Sequence, residues 1–125
     1  MPVRGLGIDM IEVERVAAKI AKESGFRELV FAAGEIEYCE AKANKYEHYA
    51  ARFAAKEAFF KALGSGWKDG TAFNEVEVVN DEKGKPEIKL RGKTADTIIN
   101  MGFFKISVSL THLKTMAAAV VIIEG

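Results

Sequence analysis

The sequence predicts an α+β fold, with helices packed against a mainly antiparallel sheet, in a single domain spanning residues 1–125. Three observations carry this prediction. After an opening strand, the first half repeats its apolar residues at helical spacing. The second half switches to a period of two, and no linker or low-complexity tract separates the halves. A chain of 125 residues with 49% hydrophobic content can bury roughly two thirds of its unfolded surface in one core.

Val3 to Val13 reads as a strand, with Leu6, Ile8 and Met10 on one face and Gly5, Gly7 and Asp9 on the other, a face nearly bare of side chains. From Glu12 to Glu23 the pattern is helical, with Val13, Val16, Ala17 and Ile20 inward, and Ser24-Gly25 ends it. A short helix over Phe26 to Phe31 and another over Glu35 to Lys42 follow. His48 to Leu63 is the longest helix, free of Pro and Gly until Gly64 stops it. Val76 to Val79 and Glu87 to Leu90 flank the turn-rich NDEKGKP and predict a hairpin. Gly92 to Met101 is an amphipathic helix. Lys105 to Thr111 alternates strictly, setting Ile106, Val108 and Leu110 against Ser107, Ser109 and Thr111, and Met116 to Ile123 is a continuous apolar run suited to a buried strand.

Charge and cysteine content exclude several classes of function. The 18 Lys+Arg and 18 Asp+Glu cancel, so no bulk field favours nucleic acid or an anionic membrane, and a charged partner has to be met by a local patch. Cys39 is alone and cannot form an internal disulfide. With no charged-then-apolar leader, this predicts a reduced, cytoplasmic setting. No apolar run approaches the ~20 residues that span a bilayer.

Asp9 is the first candidate for chemistry, because an acidic residue in an apolar strand needs a partner, and Gly5 and Gly7 leave room for a ligand or another backbone beside it. The alternative is a frayed strand end capping the next helix. In RFAAKEAFFKALGSG, residues 52–66, Glu57 falls on one helical stripe with Phe53 and Phe60, which predicts an inward carboxylate paired with a cation. Its alternative is a surface pair with Lys61, worth ~0.3–0.5 kcal/mol. Two carboxylates with water or phosphate oxygens suit Mg²⁺, whereas one Cys and two His argue against a dedicated zinc site. Gly64-Ser65-Gly66 reads either as a C-cap or as a backbone cradle for phosphate, beside the cations Arg52, Lys56 and Lys61. Arg15, Lys19 and Lys22 form a basic stripe, either solvated or a dock for an acidic partner. His112 closes the Ser107, Ser109, Thr111 strand, and His48 reads as solvent-facing or capping. No spacing supports a nucleophilic triad.

Three segments, GIDMIEVER at 7–15, RFAAKEAFFKALGSG at 52–66 and VSLTHLKTMAAAVVI at 108–122, together resemble the signatures of the small holo-acyl-carrier-protein synthases, the bacterial 4'-phosphopantetheinyl transferases. The resemblance runs in the right order over the whole chain and implies that family's fold. It also implies transfer of 4'-phosphopantetheine from coenzyme A to a serine of apo acyl carrier protein, with release of adenosine 3',5'-bisphosphate. By the same resemblance, Asp9 and Glu57 hold Mg²⁺ (or Mn²⁺), and Glu57 and Lys61 are catalytic. Arg52, Lys56, Lys61, Gly64, Ser65, Gly66 and His112 meet coenzyme A, and Arg15, Lys19 and Lys22 meet the carrier protein. The chain is then expected to form a homotrimer with sites between subunits. The rival expectation is a non-catalytic oligomeric module that binds coenzyme A or a nucleotide. One departure stands out: the family's Leu-Thr-x-x-Glu capping box is here Phe31-Ala32-Ala33-Gly34-Glu35. Loss of the Thr cap removes about 1 kcal/mol from that helix and bears on the order of 31–45 and on any coenzyme contact from Lys42 or Lys45.

Overall fold

The computed structural model describes residues 2–64, 69–103 and 105–125. In chain order its elements are β1 (Val3–Glu12), α1 (Val13–Ala21), α2 (Phe26–Val30), α3 (Ala33–Glu40), α4 (Lys45–Ala62), β2 (Val76–Asn80), β3 (Pro86–Leu90), α5 (Gly92–Asn100), β4 (Lys105–His112) and β5 (Met116–Glu124). A three-stranded antiparallel sheet has the order β1-β5-β4, and β2 and β3 form a separate hairpin. The hairpin turn is held by the Asp81 carboxylate, which accepts from the Lys83 and Lys85 amides at 2.8 and 2.9 Å.

The bare face of β1 is the inner one. A Cβ on Gly5 would stand 1.9 Å from the Ala62 carbonyl oxygen, and one on Gly7 1.9 Å from that of Ala58, so α4 lies directly on the strand backbone. Ala54, Ala55, Ala58 and Ala62 keep the helix side of this contact equally thin. The approach that the glycines allow is therefore made by another backbone. The consequence is an inverted strand: Leu6, Ile8 and Met10 are 64%, 67% and 67% exposed. They share the outer sheet face with Ala118, Val120 and Ile122 of β5 and with Ser107, Ser109 and Thr111 of β4.

Helix α4 is central. Above the sheet, Phe59 and Phe60 join Val76, Val78, Ile98, Val121 and Ile123 in one apolar cluster, while Tyr49 and Phe53 join Val13, Val16, Val30 and Phe31 in another. From Tyr49 to Ala62 only Glu57 and Lys61 escape full burial. A helix buried nearly all round has no single inward stripe. This corrects the sequence reading of Glu57: it does not share a core face with Phe53 and Phe60 but lies on the one line of α4 that opens to solvent.

Helix α3 forms without its Thr cap. Ala32 has no side-chain acceptor, so only half of the capping box persists, the Ala32 amide donating to Glu35 Oε1 at 2.9 Å. Glu35 does more than cap. It is fully buried, its Oε1 also accepts from Lys56 Nζ at 2.6 Å, and its Oε2 accepts from the Val78 amide at 3.0 Å. These bonds tie α3 to α4 and β2 and compensate for the missing hydroxyl. Within 31–45 the chain forms α3 and then turns into α4.

Candidate functional site

The two flanks of α4 carry different chemistry. Where α4 crosses β1, Lys61 Nζ donates to Asp9 Oδ1 at 2.9 Å and to the Ile8 carbonyl at 3.1 Å. Asp9 reaches this spot because it follows Gly5 and Gly7 on the thin face, and its side chain is 15% exposed. Glu57, one turn before Lys61, is half-buried beside it. Burial pushes the Glu57 carboxyl above its ordinary value and the Asp9 carboxylate pushes it further, while Lys61 and then Lys19 draw it back. Two carboxylates that repel each other at a solvent-open edge form a donor set for a hard divalent cation, whose charge relieves the repulsion. Among the described residues no group of three or more His, Cys, Asp or Glu converges, so the remaining ligands of such an ion would be water or substrate oxygens. The fit is to Mg²⁺ rather than to zinc.

At about 100° per residue, Arg52 stands across the helix axis from Lys61. On that flank Tyr38, His48, Arg52, Asn80 and His112 line an open cleft of about 210 Å³. Arg52 is 3% exposed; its guanidinium lies 4.1 Å from the Tyr38 ring centre and donates to Asn80 Oδ1 at 2.7 Å. Among the described residues, Arg52 Nε is the one buried side-chain polar atom without a hydrogen-bond partner. His112 is held by Glu47, Nδ1 to Oε1 at 2.8 Å, an interaction that pulls the Glu47 carboxyl below its ordinary value.

The structure thus brings Asp9, Glu57 and Lys61 together, brings Arg52 and His112 together, and keeps the two groups on opposite flanks of α4. One expected coenzyme contact is overturned. Lys56 is completely buried, and its ammonium is bonded to Glu35 and to the Phe73 and Val76 carbonyls. All three donors are used inside the core, so no coenzyme phosphate can reach it. Gly64 adopts φ +85° just past α4, where a side chain would be strained; Ser65 and Gly66 lie outside the described residues. Arg15, Lys19 and Lys22 are exposed on or just beyond α1, and Lys19 Nζ sits 5.4 Å from the Phe26 ring centre. Lys42 Nζ lies 4.8 Å from the Tyr38 ring centre at the edge of the cleft, and Lys45 pairs with Glu40 at 3.3 Å. Tyr38, His48 and Asn80 were not among the residues expected at a site. They enter the cleft from three separate segments, and nothing in their local spacing marks them.

A model of the 4'-phosphopantetheinyl transferase superfamily matches residues 5–120. The chain belongs to that superfamily. A holo-[acyl-carrier-protein] synthase of Ruminiclostridium cellulolyticum is 49% identical over 123 residues, covering 95% of this chain and 90% of that one. Among solved structures, the holo-[acyl-carrier-protein] synthase of Neisseria meningitidis superposes with a TM-score of 0.91 at 26% identity, covering 99% of this chain and 100% of that one. The Bacillus anthracis enzyme, solved in complex with CoA (3',5'-ADP), gives 0.80 at 31% identity, covering 98% and 97%. These matches confirm the transferase fold expected from the three sequence segments. Among the described residues no helix is long and apolar enough to cross a membrane.

Proposed function

We propose that this chain moves the 4'-phosphopantetheine group from coenzyme A to a serine of apo acyl carrier protein, releasing adenosine 3',5'-bisphosphate, at a site shared between copies of the chain. The observation that carries this reading is the convergence of Asp9, Glu57 and Lys61 at one edge of a chain of this superfamily. Asp9 and Glu57 would hold Mg²⁺, with Mn²⁺ as a substitute; when bound it supplies positive charge to the diphosphate oxygens. Lys61, 56% exposed, can turn from Asp9 toward the same oxygens as negative charge builds on them. The serine oxygen forms its bond to the phosphorus that carries pantetheine as the bond from that phosphorus to the bisphosphate breaks. Glu57 stands at the site as the carboxylate able to accept the serine proton. Arg52 and His112 would receive the phosphorylated adenosine end of the coenzyme in the opposite cleft.

Because the two groups face away from each other on one chain, a complete site takes Asp9, Glu57 and Lys61 from one copy and the cleft from the next. The exposed Leu6, Ile8, Met10 face supports this, since contiguous apolar sheet surface of this kind marks an interface; the reading is a homotrimer. Arg15, Lys19 and Lys22, with Lys19 near enough to act on Glu57, would dock the acidic carrier protein beside the reacting atoms. The buried free Cys39 suits a reducing cytoplasm. Intact mass spectrometry of an apo carrier protein incubated with this protein and coenzyme A tests the reading. The carrier gains one phosphopantetheine with Mg²⁺ and none with a chelator, and Asp9→Ala and Glu57→Gln abolish the gain while remaining folded. Coenzyme bound without any modified carrier would instead make this a non-catalytic binding module.

A further inference from the structure

His48 lies in the first turn of α4, yet its ring packs into the cleft in edge-to-face contacts, 5.7 Å from the Tyr38 ring at 73° and 5.1 Å from the His112 ring at 60°. Charged or titratable groups face it from α3, α4 and β4, while the β2–β3 hairpin adds the uncharged Asn80, Gly84 and Pro86. Tyr38 and Lys42 come from α3 and the loop after it, Glu47 and Arg52 from α4, and His112 from β4. Glu47 is engaged by His112, so the balance felt by His48 is cationic. Burial, then His112, Arg52 and Lys42, hold its imidazole below its ordinary value, with Glu47 opposing only weakly. Arg52, which lines the same cleft, has a buried Nε without a hydrogen-bond partner among the described residues. The empty cleft therefore disfavours the protonated form of His48, and an anion arriving beside Arg52 and Lys42 would favour it.

We propose that His48 is a proton-coupled binding residue of this cleft, taking up one proton as a phosphate monoester enters between it, Arg52 and His112. The proposal rests on the reading that the cleft takes the phosphorylated end of coenzyme A. It goes beyond that reading by assigning a role to His48 and by making affinity depend on pH. The reaction balances simply: neutral imidazole plus a solvent proton gives imidazolium, paired with the phosphate dianion.

The probe is adenosine 3',5'-bisphosphate, titrated calorimetrically near pH 7 in buffers of different ionisation enthalpy. The phosphate itself titrates near pH 6, so the informative quantity is the difference between wild type and His48→Phe or His48→Gln. Wild type should take up a larger fraction of a proton than either variant, and its affinity should fall several-fold more between about pH 6 and pH 8. In wild-type protein the His48 ring resonance should also titrate at higher pH with ligand bound than without, a readout that needs no variant. Equal proton uptake in wild type and variants, with an unmoved His48 titration, overturns the proposal and leaves the coenzyme reading standing. Binding that is indifferent to Arg52→Ala and to both His48 variants overturns the coenzyme reading of the cleft, and this proposal with it.

Discussion

Lys56→Met is a sharp perturbation because the sequence assigns Lys56 to the coenzyme and the structure assigns it to the core. Its ammonium bridges Glu35 and the carbonyls of Phe73 and Val76, so it joins α3, α4 and the entry to β2 at one point. Methionine fills much the same volume but leaves the Glu35 carboxylate buried with two amide donors, from Ala32 and Val78. Removing one partner of a buried ion pair costs about 3–5 kcal/mol, mostly as the penalty of the stranded charge. With a urea slope of about 2 kcal/mol per molar, the unfolding midpoint should fall by roughly 2 M at fixed protein concentration. The double variant Lys56→Met/Glu35→Gln should lose clearly less than the sum of the single changes, because the charge is removed with its partner. Below its lowered midpoint, Lys56→Met should bind coenzyme A as wild type does. A variant with wild-type stability and weakened coenzyme binding would refute the argument and return Lys56 to the coenzyme site.

Lys61→Met should lower kcat far more than it weakens coenzyme binding, as steady-state kinetics against coenzyme titration will read; it should also tighten Mn²⁺ binding several-fold, since Asp9 loses a competing cation at 2.9 Å. Arg15→Glu should raise KM for the carrier protein several-fold at low salt and leave KM for coenzyme A unchanged; identical carrier KM at two ionic strengths would make the α1 stripe a solvated face. The Glu40 carboxyl is held below its ordinary 4.5, first by the Tyr49 hydroxyl and then by Lys45. A depressed carboxylate contributes stability above 4.5 that is lost as pH falls through its folded value, so Glu40→Gln should show a shallower loss of stability on acid titration.

The course of the chain was legible because its elements announce themselves locally. The alternation in 105–111, the turn residues of 80–86 and the uninterrupted run into Gly64 each predict one element, and each is present. What faces what was less legible. Glycines on β1 leave room for a ligand or another backbone, and it is the helix backbone at Ala58 and Ala62 that fills it, turning the apolar face outward. Helical spacing does not reveal where Glu57 faces, because α4 is buried on nearly every side and has no single inward face to detect. Lys56 looked like one of three helical cations, and its partner Glu35 is too distant in sequence for any spacing rule. Tyr38 and Asn80 reach the Arg52 cleft only through tertiary packing, so no motif could have named them.

In the proposed assembly, Asp9, Glu57 and Lys61 of one copy complete the cleft of another. Asp9→Ala and Arg52→Ala should each be inactive alone in the intact-mass assay of the carrier protein. Unfolded together and refolded as a mixture in equal amounts, they should recover about one quarter of wild-type transfer, the fraction of sites that draw an intact half from each parent by random assembly. A mixture no more active than its two components would place the whole site within one chain and rule out the shared site.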